Sequence, residues 1–198
     1  MGSQRRASAV AKNLTLVVQS LQIGQISLEK VTITARDASW RADPPLALEA
    51  SAASLEAVLV ESALCHLVAG VQAGPVTHLQ AQLLRGRIRF TGRYGPVPFE
   101  LLAEPAIALG TRIALKVLQG NVVGLPLPGF GLDQVAALIN SRLSQLTDVG
   151  RIIPQAQITG VKVDPGRMTI TLEASPAVIE LQGRGKSEAS TLLSGTTP

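Results

Sequence analysis

The sequence is poor in aromatic residues, in cysteine and in charge. Of 198 residues one is Trp, one is Tyr and three are Phe, 16% are charged, and Cys65 is the single cysteine. So few aromatic rings argue against a module that stacks nucleic-acid bases on an aromatic platform, and no nucleic-acid partner is expected. One cysteine cannot form an internal disulfide, so Cys65 is interpreted as a small buried hydrophobe.

The sequence also lacks a membrane-spanning run and a secretory signal. The longest apolar stretch, Leu55–Ala69, is interrupted by Glu56, Glu61 and His66, whereas a transmembrane helix needs about 18 or more nearly uncharged residues. Residues 1–6 carry charge without a following apolar region, so no signal peptide is expected. The residues alone assign no cellular compartment.

What the chain does contain is apolar surface. Hydrophobic residues make up 46% and the net charge is +4, with a mean hydropathy of +0.29 and a pI near 9.7. This composition excludes general disorder, and a chain of this length buries roughly 70% of its unfolded surface as one domain. We expect an N-terminal segment over residues 1–13 (a short helix at Ala7–Lys12 or a tag remnant), a single domain over 14–182, and a disordered Gly/Ser/Thr-rich tail over 183–198.

Short segments of alternating apolar and polar residues predict antiparallel strands. The clearest is Gly166–Ala174, and a turn at Val163–Gly166 pairs it with Ile158–Val163. Between Leu28 and Val31 the alternation slips by one residue, which predicts a bulge that bends a strand. One apolar and one polar face are typical of antiparallel sheets. Similar alternation occurs at residues 26–35, 46–50, 79–83, 87–91, 99–103 and 113–117.

Two segments have helical spacing. The first is Ser54–Ala69, with Ser54 as N-cap and Glu56 in the first turn. The second begins near Asp133 and continues to about Leu146, with an apolar face at helical spacing. The sequence therefore predicts an α+β fold, in which a long, strongly curved antiparallel sheet carries two main helices on its apolar side.

No constellation of residues indicates catalysis. The two histidines, His66 and His78, lie on different elements without a set of partners at metal-ligand spacing. Ser141 and Ser144 lie on a helix face and not in a nucleophile elbow. The glycines of 124–131 lack the lysine and hydroxyl residue of a phosphate loop. We expect no enzyme, no metal and no cofactor.

The segment Gly120–Gly131 has the glycine and proline content of a loop but no charge. Surface loops are normally polar, so its large apolar side chains require a covering. Two interpretations stay open: the segment covers the core, or it forms the rim of a ligand cavity or touches a bilayer. Its large apolar residues are Val122, Val123, Leu125, Leu127 and Phe130.

Arginine recurs at alternate positions without intervening acids. Arg87, Arg89 and Arg93 share one face of a predicted strand, just after Arg85. Arg112 and Lys116 extend this cationic strip on a later strand. The strip is either a solvated face that protects a sheet edge or a site for anionic groups, since guanidinium groups match phosphate oxygens.

The order of these elements resembles a known family. Its pieces are the helix Ser54–Ala69, the hairpin Leu84–Phe90, the Gly-Leu-Pro-Leu-Pro segment at Gly124–Pro128, Leu138-Ile139-Asn140, and the closing Ile158–Met168. Over roughly residues 14–181 the chain resembles the LmeA-like proteins of the bacterial cell envelope, whose fold is similar to the tubular lipid-binding (TULIP) domains.

The resemblance implies a TULIP-like half-barrel that binds phospholipid or another acyl lipid without catalysis. It also implies a location in the cell envelope or at an anionic membrane surface. The acyl chains would contact Val58, Leu59, Leu138, Ile139, Leu146 and the five apolar residues of Gly120–Gly131. The headgroup would lie near Arg87, Arg89, Arg93, Arg112 and Lys116. The alternative is a structural or protein-interaction module of the cell envelope without lipid cargo, whose protein partner the sequence does not identify.

Overall fold

Twelve strands and two helices form the part of the chain that the structure describes. This computed structural model describes residues 8–23, 26–41, 46–69, 76–122, 125–126, 136–141, 143, 149–151, 153 and 155–181. The strands are β1 Ser8–Ile23, β2 Ile26–Arg41, β3 Leu46–Ala50, β4 Ala52–Val60, β5 Val76–Leu84, β6 Arg87–Tyr94, β7 Val97–Ala108, β8 Arg112–Val122, β9 Leu125–Pro126, β10 Gln157–Asp164, β11 Arg167–Ala174 and β12 Ala177–Leu181. Helix α1 is Glu61–Ala69, helix α2 covers residues 136–141 and 143, and a single 3-10 turn is Val149–Arg151.

The larger of two sheets has seven antiparallel strands. Their order is β10-β11-β4-β2-β3-β12, and β1 pairs with the remaining side of β2. The longest pairing, β1 with β2, extends from Ser8 opposite Arg41 to Ile23 opposite Ile26. The predicted hairpin near the C-terminus is confirmed as β10 and β11. The prediction of an antiparallel, sheet-rich fold is thus confirmed, although the strands divide between two sheets rather than forming one.

The smaller sheet is an antiparallel meander, β5-β6-β7-β8-β9. Tight turns at Arg85–Gly86 and Gly95–Pro96 connect β5 to β6 and β6 to β7. Alternation places Ile88 and Phe90 in the core, whereas Arg87 is exposed on the other face. The apolar side of this sheet therefore faces the same hydrophobic cluster as the larger sheet.

Helix side chains bind the exposed backbone at both edges of the smaller sheet. In α1, Glu61 Oε2 accepts a hydrogen bond of 2.7 Å from the Leu83 N–H of β5, and the Cys65 thiol donates to the Ala81 carbonyl at 2.9 Å. At the far edge, Asn140 of α2 bonds both backbone groups of Leu115 in β8. Unpaired strand edges invite pairing with other chains, and these helices cover parts of both edges.

Backbone hydrogen bonds between turns hold the two sheets together. The Gly86 N–H donates to the Val163 carbonyl at 2.9 Å, and the Gly166 N–H donates to the Leu83 carbonyl at 3.3 Å. At the opposite end of β10, the Ile158 N–H donates to the Gly110 carbonyl at 2.6 Å. Strand β10 is therefore anchored to hairpin turns of the smaller sheet at both of its ends.

The first predicted helix is wrong over its first half. Residues 52–60 form β4, in the middle of the larger sheet between β2 and β11, and only Glu61–Ala69 is helical. Leu55, Ala57 and Leu59 are buried, whereas Ser54 and Glu56 are exposed. This alternation of buried and exposed residues with a period of two is that of a strand. Pairing with β2 and β11 supplies hydrogen bonds that outweigh the helix propensity of the segment. The predicted cap, Ser54, is an ordinary outward-facing strand residue.

The N-terminal prediction is also corrected. A helix at Ala7–Lys12 is replaced by strand β1, which begins at Ser8 and crosses the expected boundary at residue 13. The pairing with β2 supplies the backbone bonds that a helix would have made internally. The second predicted helix is found at residues 136–141 and 143, and the rest of Asp133–Leu146 lies outside the described residues, as does the predicted tail 183–198.

The predicted uncharged loop is partly sheet. Gly120, Asn121 and Val122 complete β8, and Leu125–Pro126 form β9, which pairs with β8 through Val122 opposite Leu125. The loop prediction therefore fails for this part because β7 and β9 satisfy the backbone of 120–122. The other residues of Gly120–Gly131 lie outside the described residues.

The slip in β2 is real, but it is not a bulge. Leu28 and Val31 are both buried, three residues apart. The register with β1 is nevertheless unchanged, since Gln19 opposes Lys30 and Leu21 opposes Leu28. Between these two pairs, Ser20 of β1 has a φ of 55°.

The turn between β7 and β8 contains an unusual leucine. Leu109 and Gly110 both have positive φ, 53° and 69°, and Leu109 is 84% exposed. Asn-Gly is the preferred pair where two successive turn residues have positive φ, because asparagine tolerates this conformation and leucine is strained in it.

We expect Leu109→Asn to raise the free energy of unfolding by about 0.5–1 kcal/mol. Urea denaturation measures this, with Ile107→Asn as a control for lost apolar surface; a less stable Leu109→Asn protein would contradict the strain.

Candidate functional site

An apolar cavity of about 120 Å³ lies inside the hydrophobic core, between the sheets. Side chains of β2, β4 and β11 in the larger sheet form one wall, and those of β6, β8, both helices and the 3-10 turn form the other. The lining residues that the structure describes are all apolar: Ile26, Leu28, Val31, Leu55, Ala57, Leu59, Leu64, Leu67, Ile88, Ile113, Leu115, Leu143, Val149, Ile153, Met168, Ile170 and Leu172.

The cavity has walls of unequal burial. Ile26, Val149 and Ile170 are only half-buried, whereas Leu59 and Ile88 are almost fully buried. The half-buried side chains mark the part of the lining nearest to solvent. A hydrophobic ligand would meet these residues first and the central β4 residues last.

The chemistry of this cavity is restricted to apolar contact. Among the described lining residues the most polar atom is the Met168 sulfur, and none of these side chains is titratable. Apolar cavities of about 150 Å³ stay dry and bind small hydrophobic molecules. A cavity of similar size and lining can therefore accept part of a hydrocarbon chain.

The predicted acyl-chain residues are found in different places. Leu59 lines the cavity, Ile139 is 1% exposed and packs in the core beside it, and Leu138 and Val122 pack at the edge of the core. Val58 does not line the cavity, because strand geometry turns it to the opposite face of β4 from Leu59. The side chain of Leu125 in β9 and the residues Val123, Leu127, Phe130 and Leu146 lie outside the described part of the chain.

Sequence reasoning missed most of the lining. The alternating residues Leu55, Ala57 and Leu59 carry the signal, but a helical interpretation obscures it. The opposing wall comes from Ile88 and Leu115, which belong to another sheet and are far away in sequence. Only the tertiary packing of the two sheets brings these faces together.

A second concavity lies on the outer face of the smaller sheet. This cationic groove has a volume of about 500 Å³ and runs across β6, β7 and β8. Its lining combines three guanidinium groups, one carboxylate and two amides. The lining residues are Leu84, Arg85, Arg87, Arg89, Glu100, Leu102, Gln119 and Asn121.

Arg89 and Glu100 form the central ion pair of the groove. Arg89 Nε lies 3.2 Å from Glu100 Oε1, and 42% and 48% of the two side chains are exposed. Nε is buried and forms no hydrogen bond, so its contact with Glu100 is a charge contact with poor alignment. An exposed pair of this kind contributes little to stability.

The cationic strip predicted from sequence is divided by the structure. Arg87 and Arg89 line the groove together with Arg85. Arg93 lies on the same strand but donates to the Pro96 carbonyl at 3.1 Å, near the next turn. Arg112 and Lys116 lie in β8 outside the groove lining, so they do not extend one continuous site.

The groove and the cavity lie on opposite faces of one sheet. Ile88 lines the cavity, whereas its neighbours Arg87 and Arg89 line the groove. This corrects the expectation that one lipid places its chains in the apolar site and its headgroup on the arginines, because β6 separates the two sites.

The single cysteine and the two histidines line neither the cavity nor the groove. Cys65 is half-buried, and its thiol bonds to β5 as described above. His78 Nδ1 lies 3.2 Å from Thr77 Oγ1, and His66 is exposed. Among the described residues, no three His, Cys, Asp or Glu side chains are grouped to hold a metal ion. Within the same residues no helix is long and apolar enough to span a membrane.

Comparisons of the chain with protein-family models, with curated proteins and with solved structures found no match.

Proposed function

We propose that this protein binds an acyl lipid without catalysis, with a hydrocarbon chain in the apolar cavity between its two sheets. The observation that supports this proposal is the lining itself, in which two sheets, two helices and the 3-10 turn converge on a space whose described side chains are all apolar. Burial of each methylene contributes about 0.8 kcal/mol. Apolar burial alone can therefore provide affinity for a hydrocarbon chain, without a reactive group or an ion.

The volume limits what the cavity holds in this conformation. Most small-molecule pockets have volumes of about 300–1,000 Å³, and this cavity is smaller, at about 120 Å³. It suits the end of one chain, so a longer chain requires a wall to move. The wall that would move is the one formed by α2 and the 3-10 turn. Its hydrogen bonds to the smaller sheet include one from Leu115 to Asn140 and one from Val149 to Thr111, and these would have to break.

The proposal includes a relationship of this fold to the TULIP-like half-barrel. A curved sheet wrapped around helices, as in the TULIP-like half-barrel of LmeA-like proteins, would enlarge such a cavity into a groove for whole acyl chains. The antiparallel sheets and the apolar interior are compatible with that architecture. A phospholipid bound in this way would leave its headgroup at the half-buried rim near Ile26, Val149 and Ile170, not on the arginines.

Filling the cavity tests this function. Ala57 lies on the central strand β4 and faces the cavity, so Ala57→Leu is expected to abolish binding of radiolabelled palmitate while the melting temperature stays within a few degrees. Val58→Leu adds one methylene on the opposite face of the same strand and is the matched control. Normal palmitate binding by a folded Ala57→Leu protein would contradict the proposal. Ile170→Phe, at the half-buried rim, repeats the test if Ala57→Leu does not fold.

A second candidate function is a protein-interaction module. Large apolar side chains are exposed at hairpin ends of the smaller sheet, namely Tyr94 and Val97 at one end and Ile107 and Leu109 at the other. Such side chains can dock a partner. Organic extraction of the purified protein separates the two functions: co-purified lipid favours the first, and an empty protein that takes up no palmitate favours the second.

A further inference from the structure

We infer that the cationic groove is a separate binding site for a phosphate ester of a polyhydroxylated compound. The guanidinium groups of Arg85, Arg87 and Arg89 would hold the phosphate, and the amides of Gln119 and Asn121 would bind the hydroxyl groups. A volume of about 500 Å³ falls within the usual range of small-molecule sites. This inference is independent of lipid binding in the cavity, because the two sites lie on opposite faces of the sheet.

The charges of the groove favour an anion. Three arginines face one carboxylate, Glu100, among its lining residues. Within the described part of the chain, neither Arg85 nor Arg87 has an ion-pair partner. Guanidinium groups at alternate strand positions lie on one face, and their planar donors match the oxygens of a phosphate.

The state of Arg89 also favours a ligand. Its Nε contact with Glu100 lacks hydrogen-bond alignment, and 42% of the side chain is exposed. The guanidinium can therefore turn to a phosphate oxygen without losing a well-formed bond. Removal of the Glu100 charge should then strengthen anion binding, because the carboxylate competes for Arg89.

A β-bulge places the two amides in the groove. The register of β7 with β8 changes between Leu102, which opposes Gln119, and Ala103, which opposes Val117. Leu118 is the extra residue. Before the bulge, Ile113 and Leu115 face the core, and unbroken alternation would turn residues 119 and 121 inward as well. Bulges commonly redirect side chains beside functional sites.

The floor of the groove suits a small polyol. Leu84 and Leu102 are half-buried and supply apolar surface between the charged groups. The register places Leu102 between Arg89 on one side and Gln119 on the other, and it places Glu100 opposite Asn121. The carbon skeleton of a glycerol or sugar phosphate can pack on the leucines while its oxygens reach the arginines and amides.

Titration with glycerol 1-phosphate, followed by isothermal calorimetry at 0.15 M salt, tests the site. We expect saturable binding by the full chain and no binding of glycerol. Arg87→Gln and Arg89→Gln should each weaken binding by about tenfold or more. Arg36→Gln, which removes the same charge from an exposed position of β2 in the larger sheet, should change it less than about twofold.

Two carboxylate variants sharpen the test. Glu100→Gln should tighten glycerol 1-phosphate binding by about threefold or more, since it frees Arg89. Glu104→Gln removes an exposed carboxylate from the same strand, outside the groove lining, and should have a smaller effect. Equal effects of the two variants would show general electrostatic attraction and would overturn the site.

Vesicles distinguish the sources of the phosphate ester. Arginine-dependent binding to phosphatidylglycerol vesicles, but not to phosphatidylcholine vesicles, would assign the site to a lipid headgroup. Binding of glycerol 1-phosphate without vesicle binding would assign it to a soluble ester. If neither probe binds, or if Arg87→Gln and Arg36→Gln behave alike, the inference is wrong. Palmitate binding by the Arg87→Gln protein should be normal in every case, which separates this result from the fate of the cavity.

Discussion

Replacing Ile88 by aspartate is expected to destroy the folded state, whereas the same replacement at Arg87 should leave it intact. Ile88 is 2% exposed and lines the apolar cavity. An aspartate there has no partner, and burial of an unpaired carboxylate costs several kcal/mol. Domain stabilities are only about 5–15 kcal/mol, so the Ile88→Asp protein should lose its cooperative thermal transition.

Arg87 provides the matched control because it is the adjacent residue on the opposite face. It is exposed in the groove, so Arg87→Asp should shift the urea midpoint only slightly while it abolishes binding of glycerol 1-phosphate. Circular dichroism and urea denaturation measure both proteins. A stable, cooperatively folding Ile88→Asp protein would show that β6 does not separate a core from a solvated face. The placement of the apolar cavity and of the cationic groove would then both be wrong.

Local alternation is sufficient to predict many strands, because the apolar residues of each strand mark the face that it buries. Met168 and Leu172 in β11, and Ile88 and Phe90 in β6, are buried as the pattern indicates. The same information failed at residues 54–60, which satisfy both a helical and an extended pattern. Whether this segment forms a helix or a strand depends on its pairing with β2 and β11, two strands that are distant from it in sequence.

The division into two sheets is invisible to a local pattern for the same reason. Alternation shows that a strand has a buried face but not which strand lies beside it. The edge contacts are also tertiary: Glu61 reaches Leu83 only because α1 runs along β5. A glutamate in the first turn of a helix would otherwise be interpreted as favourable to the helix dipole.

The candidate sites show how strongly residue roles depend on periodicity. A helical interpretation groups Val58 with Leu59 as lipid contacts. In a strand, however, consecutive residues face opposite sides, and of these two only Leu59 lines the cavity. Alternation alone does place Arg87 and Arg89 on one face of a strand, as found in the groove. Gln119 and Asn121 could not be added to them from the sequence, because the bulge at Leu118 depends on the register with β7.

Replacing Asn140 by alanine is expected to release α2 from the edge of β8. The Leu115 N–H donates to Asn140 Oδ1 at 2.6 Å, and Asn140 Nδ2 donates to the Leu115 carbonyl at 2.9 Å. The side chain thus pairs with the strand as another strand would. Loss of both bonds at a partly buried position should lower the free energy of unfolding by about 2–4 kcal/mol.

The same change should alter access to the cavity. Leu143 of α2 lines the cavity, as do Val149 and Ile153 beyond it, so a loosened helix should exchange palmitate faster than the unmodified protein. Hydrogen exchange at the Leu115 amide reports the lost bond directly, and its protection should fall while that of Leu101, inside β7, changes less.

Ser141→Ala is the control for Asn140→Ala, since Ser141 is exposed and its hydroxyl donates to the Leu138 carbonyl within the helix at 2.8 Å. Asn140→Asp makes the comparison stricter. Its carboxylate can still accept from the Leu115 N–H, but it faces the Leu115 carbonyl without a proton to donate, so repulsion should make it nearly as destabilising as alanine at neutral pH. If Asn140→Ala matches Ser141→Ala in stability and palmitate exchange, α2 is held by its apolar face alone, and the wall that moves for lipid entry must be sought elsewhere.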